Sequence, residues 1–276
     1  MKSIVVCIIF IVICQTVNSQ RKVTAKSEKS AVLVIGADID SDDAENQMKK
    51  IELFLDSMDY KVHTFYDPYN SWEDIKKASE DASIFIYRGH GTHLGIDGGF
   101  GGIVIDEFVS GKRIADELKF KNNPLVMFIS VCGGAGSSAG DETDIGISEA
   151  QNRVFGSALP FLMAGAKGYY ANNYETGVLR CLKLLSENKT LGEAYEITAT
   201  KWTEIELIEP VDDERVNSNF QIGISSSEGG GKSTITRTRN GVKTTKEIAS
   251  PKGYPIAFVG DPNFRLIKSP ELSRNK

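Results

Sequence analysis

Ile84-Phe85-Ile86-Tyr87-Arg88-Gly89-His90-Gly91 and Leu125-Val126-Met127-Phe128-Ile129-Ser130-Val131-Cys132-Gly133-Gly134 are the two stretches whose reading decides the fold. Each is an apolar run that breaks at glycine, and each delivers one reactive side chain, His90 or Cys132, at its end. Runs this apolar suit parallel strands covered on both faces. Ligands and reacting groups in such sheets gather beyond the carboxyl ends of the strands. Two such strands ending side by side would set an imidazole next to a thiol, which is the working pair of a cysteine nucleophile.

Working outward, strands and helices alternate. Val32 to Ile35 reads as a first strand. Asp43 to Met58 follows as a helix, with Met48, Ile51, Leu55 and Met58 on one face. Val62 to Tyr66 is a strand, and Ser71 can cap a helix running to Ala82. A short helix at Ile114 to Leu118 precedes the cysteine strand. Gln151 to Ala164 is a helix interrupted or bent near Pro160, and Tyr169 to Asn172 is a strand. Helices follow at Glu175 to Glu187 and Leu191 to Trp202. This order predicts an α/β fold of three layers, with a mostly parallel central sheet flanked by helices. Beyond Trp202 the pattern weakens. Ser225 to Gly231 reads as flexible, and Asn240-Gly241 signals a hairpin turn between Thr234–Arg239 and Val242–Glu247. The stretch 223–250 is therefore expected to be a polar hairpin inserted before the last strand, Ile256 to Val259.

The ends of the chain read differently. Lys2, the apolar run Ile4 to Cys14 and the small residues around Ser19 predict a secretory signal peptide over 1–19. Residues 20–30 read as a flexible linker or short pro-segment, 31–268 as the folded domain and 269–276 as a tail. After removal of the signal peptide, no apolar stretch is long enough to span a membrane. A formal charge of −5 argues against nucleic-acid binding. Two of the four cysteines lie in the signal peptide, leaving Cys132 and Cys181. A disulfide between them is the alternative to a free nucleophile and a core cysteine on a helix.

The His-Gly and Cys-Gly blocks resemble the caspase–metacaspase–legumain–gingipain superfamily of cysteine peptidases. Ala158-Leu159-Pro160-Phe161-Leu162-Met163-Ala164-Gly165-Ala166-Lys167-Gly168-Tyr169-Tyr170-Ala171 is similar to the helix and next strand of gingipain-like and CHAT-type members. Phe258-Val259-Gly260-Asp261-Pro262-Asn263-Phe264-Arg265-Leu266 is similar to the closing strand and Gly-Asp-Pro turn of gingipain-type domains. The resemblance runs from Ala31 to Leu266. Arg88 departs from the small residue often found there in metacaspases. The resemblance implies that Cys132 is the nucleophile, that His90 is its acid and base, and that the amides of Gly91 and Cys132 form the oxyanion hole. It implies no organic cofactor. It also implies that the loops after the first strand and after the cysteine line the pocket for the residue before the cut. The carboxylates there, Asp38, Asp40, Asp141 and Asp144, point to arginine or lysine at that position.

Several motifs are set aside. His63 reads as a structural histidine, and His93 lacks further zinc ligands nearby. Gly229 to Thr234 imitates a phosphate-binding loop, but Ser226 replaces its first glycine and no core strand precedes it. Asp38 to Asp43 imitates a calcium loop but lacks its glycine and its terminal glutamate, so calcium could bind only loosely. The expectation is a secreted cysteine endopeptidase acting on a peptide or protein substrate. The alternatives are an inactive caspase-like binding domain and a partner-activated CHAT-like protease. Oligomeric state is left open by the sequence.

Overall fold

The computed structural model describes residues 29–37, 41–66, 70–92, 101–229, 232–239, 242–249 and 251–266. The readings of the signal peptide, of residues 20–28, of Asp38 and Asp40, of His93, of the Asn240-Gly241 turn and of the tail lie outside them. Strand β1 (Ser30–Ile35) leads through helix α1 (Ser41–Asp56) to β2 (Lys61–Tyr66), then through α2 (Trp72–Ser79) to β3 (Ala82–Arg88). Three short strands, β4 (Gly91–Thr92), β5 (Gly102–Val104) and β6 (Phe108–Ser110), form a small sheet before α3 (Gly111–Glu117) and β7 (Leu125–Ile129). Then come α4 (Gly146–Met163), β8 (Gly168–Asn172), α5 (Gly177–Ser186), α6 (Leu191–Trp202), β9 (Glu204–Pro210) and β10 (Gln221–Ser227). The hairpin of β11 (Lys232–Arg239) and β12 (Val242–Ala249) precedes β13 (Gly253–Gly260).

The central sheet has eight strands in the order β2-β1-β3-β7-β8-β13-β10-β9. The first five are parallel and the last three add antiparallel. The chain steps one way from β1 to β2 and the other way from β2 through β8. With right-handed crossovers, α1 must lie on one face and α2, α3 and α4 on the other. The two buried clusters agree. Met48, Ile51 and Leu55 of α1 pack with α5 and α6, while Trp72, Ile114, Val154 and Phe161 pack on the opposite face.

Alternation along each strand divides its side chains between these layers. Phe85 and Tyr87 face the α2–α4 layer, whereas Ile84 and Ile86 face the α1 layer; Val126 and Phe128 alternate likewise with Met127 and Ile129. Both faces are covered, which is why these strands are apolar at every position. The architecture is therefore the mixed α/β sandwich expected, with a mostly parallel sheet between helical layers.

Three local expectations need correction. Helix α2 stops at Ser79, so that Ala82 can start β3; Ser71 does cap it, accepting the Asp74 N–H at 3.4 Å. Helix α4 begins five residues earlier than Gln151 and runs through Pro160 to Met163. Residues 223–227, expected to open a flexible insertion, belong to β10 inside the sheet. Ser225 and Ser226 are buried, and the Ser225 hydroxyl donates to the Ile256 carbonyl at 3.1 Å. Gly223 lies under Phe258 and Tyr195, where a side chain would collide. Glycine stands at 223 because aromatic neighbours fill the space, and with β10 in the sheet the hairpin proper is confined to β11 and β12.

Candidate active site

Arg88 and Ile129 are paired at the ends of adjacent parallel strands β3 and β7. His90 and Cys132 follow two and three residues later, so both side chains belong to the carboxyl edge of the sheet. That edge adjoins the point between β1 and β3 where the chain reverses its direction of travel, the usual place for a ligand crevice in such sheets. His90 is exposed, and Cys132 is half-buried and free of any disulfide. The segments that carry them touch. A Cβ added to Gly91 would lie 2.5 Å from Val131 Cγ1 and 3.6 Å from the Cys132 carbonyl oxygen.

The backbone explains how Cys132 is presented. Ser130 takes a left-handed conformation, φ 52°, which turns the chain off β7. Its N–H donates to the Asn172 carbonyl at 3.1 Å and its hydroxyl to that of Asn173 at 3.3 Å. A tight turn follows, with Gly134 N–H donating to the Val131 carbonyl at 2.9 Å and Gly133 N–H to that of Ser137 at 2.9 Å. The buried Tyr169 hydroxyl donates to the Gly134 carbonyl at 2.9 Å, and Tyr254 N–H donates to the Ser137 hydroxyl at 2.6 Å. Core strands β8 and β13 thus hold the loop that carries the thiol.

The two touching segments each carry a backbone donor, the N–H of Gly91 and that of Cys132. Val104 N–H donates to the His90 carbonyl at 3.0 Å, which makes Gly91 and Ile103 a non-hydrogen-bonded pair of the β4–β5 ladder. In such a pair the N–H of Gly91 turns away from β5. The Cys132 N–H has no acceptor among the described residues. Gly133 N–H, by contrast, is committed to Ser137.

The acidic residues part company here. Asp141 is not an open carboxylate. Its oxygens accept Arg153 Nη1 at 2.8 and 2.9 Å and the Ser138 N–H at 2.7 Å. The ion pair is nearly covered, with side-chain exposures of 11% for Arg153 and 13% for Asp141. Arg153 also meets Glu149, one turn earlier on α4, at 2.8 Å. Asp141 therefore ties the cysteine loop to α4 and is already neutralised. Asp144 is exposed; it accepts the Gly146 N–H at 2.9 Å and the Tyr254 hydroxyl at 3.4 Å.

His63 is half-buried, and it lines a cleft of about 630 Å³ with Lys61, Phe65, Asp74 and Lys77. That cleft lies at the opposite, amino-terminal edge of the strands. Cys181 is fully buried on α5, and burial pushes its thiol well above the ordinary range. Arg153 and Tyr87 are the residues that sequence reasoning passed over. A hydroxyl in an otherwise apolar strand run, and an arginine one residue before Val154 of the core, were the signals available. Among the described residues no helix is long and apolar enough to cross a membrane.

No family model matches the sequence, and no curated protein matches it. Among solved structures, the chain is similar to the Saccharomyces cerevisiae separase–securin complex with 12% identity and a TM-score of 0.40; the match covers 63% of this chain and 11% of that one. It is also similar to a protein from Geobacter sulfurreducens with 11% identity and a TM-score of 0.39, covering 81% of this chain and 94% of that one.

Proposed function

We propose that this protein is a secreted cysteine endopeptidase in which Cys132 is the nucleophile and His90 the acid and base. The observation that carries the reading is the placement of these two residues just beyond the paired ends of β3 and β7, with their segments in contact. Thiolate is the reactive form of cysteine, and an adjacent imidazole that takes up its proton favours that form.

In this reaction the Cys132 sulfur attacks the peptide carbonyl carbon, and the carbonyl oxygen becomes an oxyanion. The N–H groups of Gly91 and Cys132 receive it; a preorganised donor of this kind is worth about 10²–10³ in rate. Imidazolium at His90 gives its proton to the leaving amine, and the carbon–nitrogen bond breaks to leave a thioester on Cys132. Water then attacks the thioester, His90 takes the water's proton, and the acid product departs as the thiol is restored. Proton transfer of this kind contributes about 10²–10⁴.

Arginine or lysine before the cut is the preference we assign, with Asp144, in the loop after Cys132, as its candidate carboxylate. Asp141 has no part in that recognition because Arg153 occupies it. The test is an electrophilic peptide ketone carrying arginine next to the warhead, followed by mass mapping of the adduct. Labelling of Cys132 that disappears in His90→Ala supports the reading. A folded protein that is never labelled at Cys132 contradicts it and favours a binding domain.

A further inference from the structure

We propose that Tyr87 is a positioning residue that aims the Gly91 N–H into the site through the carbonyl of His90. The inference rests on the reading of Gly91 as an oxyanion donor. Tyr87 is fully buried in β3, and its ring packs on Phe128 of β7 with centroids 5.4 Å apart. A phenylalanine would fill that volume equally well. The hydroxyl is a cost in an apolar layer unless it is used, because a buried polar group must find partners.

It is fully used, and only on the segments that flank the site. Tyr87 Oη lies 2.6 Å from the His90 carbonyl oxygen and 2.7 Å from that of Val104, so its single proton is shared between them. It accepts the Val104 N–H in return at 3.2 Å. Space is cleared for it: a Cβ on Gly89 would lie 2.3 Å from the oxygen, and one on Gly36 would lie 2.7 Å away. Burial holds the phenol far above its ordinary pKa, so it remains a donor at every physiological pH.

The consequence follows from peptide geometry. The His90 C=O and the Gly91 N–H share one planar trans unit and point in opposite directions. Tyr87 and Val104 fix the carbonyl inward. The N–H of Gly91 is therefore fixed outward, away from β5. The same anchor sets the backbone from which the His90 imidazole projects. The strut runs from the cysteine strand, through the Tyr87 ring, to the histidine turn.

Tyr87→Phe keeps the ring and removes the hydroxyl. The measurement is the Gly91 amide resonance and its hydrogen exchange in ¹⁵N-labelled protein, beside kcat and KM for an arginyl peptide. The expected result is a displaced, faster-exchanging Gly91 amide. A kcat about 10- to 100-fold lower at unchanged KM should accompany it, because the donor is misaimed rather than removed. A Gly91 amide that stays in place overturns the proposal. An amide that moves while kcat holds leaves Tyr87 as the positioning residue and removes Gly91 from the oxyanion reading. The unsubstituted protein offers a second measurement that does not depend on the variant folding. The Tyr87 hydroxyl proton should be visible and slowly exchanging; exchange as fast as that of a free phenol overturns the proposal.

Discussion

Removing the Asp141 carboxylate should loosen the cysteine loop rather than alter substrate preference. In Asp141→Ala, Arg153 loses two contacts of 2.8 and 2.9 Å, and the Ser138 N–H loses its acceptor at 2.7 Å. Breaking a fully buried ion pair costs about 3–5 kcal/mol, whereas an exposed pair is worth about 0–1 kcal/mol. Here both side chains are nearly covered, but Glu149 remains as a partner for the guanidinium. An intermediate loss of about 2–3 kcal/mol follows, which for a domain of this size lowers the melting temperature by about 4–12 °C. Turnover should fall through kcat, since the loop that presents Cys132 is what the pair secures. Urea unfolding gives the stability and peptide hydrolysis gives the kinetic split. A variant with stability within about 0.5 kcal/mol of the parent and a raised KM for basic peptides alone would refute the reasoning, because it would mean that the carboxylate is free to bind substrate.

Three further outcomes follow from the same geometry. Gly91→Ala places a methyl 2.5 Å from Val131 Cγ1; it should cost about 1–3 kcal/mol by overpacking and about a hundredfold in kcat by displacing the cysteine segment, and full activity in melting and kinetic assays would count against the contact. Native protein treated with iodoacetamide should be labelled at Cys132 and spared at Cys181, whose thiol is buried and pushed up out of the reactive range; peptide mapping that finds equal labelling contradicts this. Burial would raise the Glu117 carboxyl, but hydrogen bonds from Lys76, Trp72 and Arg113 outweigh it and lower the group to about 2. Its stabilising contribution is complete above the ordinary carboxylate range and is lost as pH falls towards 2, so Glu117→Gln should flatten the acid limb of a stability–pH curve between about pH 4.5 and 2, and an unchanged limb would show that the cluster contributes nothing.

The inner parallel strands were legible because they are covered on both faces, which forces near-continuous apolar runs at β1, β3 and β7. The positions of His90 and Cys132 followed from where those runs break. In the antiparallel half β13 was legible as the apolar run Ile256 to Val259, whereas β9 and β10 were not, for equally physical reasons. Strand β9 is an edge in which Glu204 and Glu206 alternate with the partly buried Ile205 and Leu207, and β10 carries Gly223, where Phe258 and Tyr195 leave no room, and a run of serines. Composition alone cannot separate such a strand from a flexible tract. The pairing of Asp141 was not legible because a loop carboxylate looks the same in sequence whether it is open or paired. Its partner, Arg153, lies twelve residues on, and only the packing of α4 against the loop brings the two together.

The central claim is that Cys132 and His90 together break peptide bonds. The direct measurement is hydrolysis of a peptide library by the purified chain, by Cys132→Ala and by His90→Ala, each checked for native folding by circular dichroism. The account predicts cleavage after arginine or lysine by the unsubstituted chain and none by either variant. Full activity in a folded Cys132→Ala or His90→Ala protein, or no cleavage by the unsubstituted chain, would contradict it.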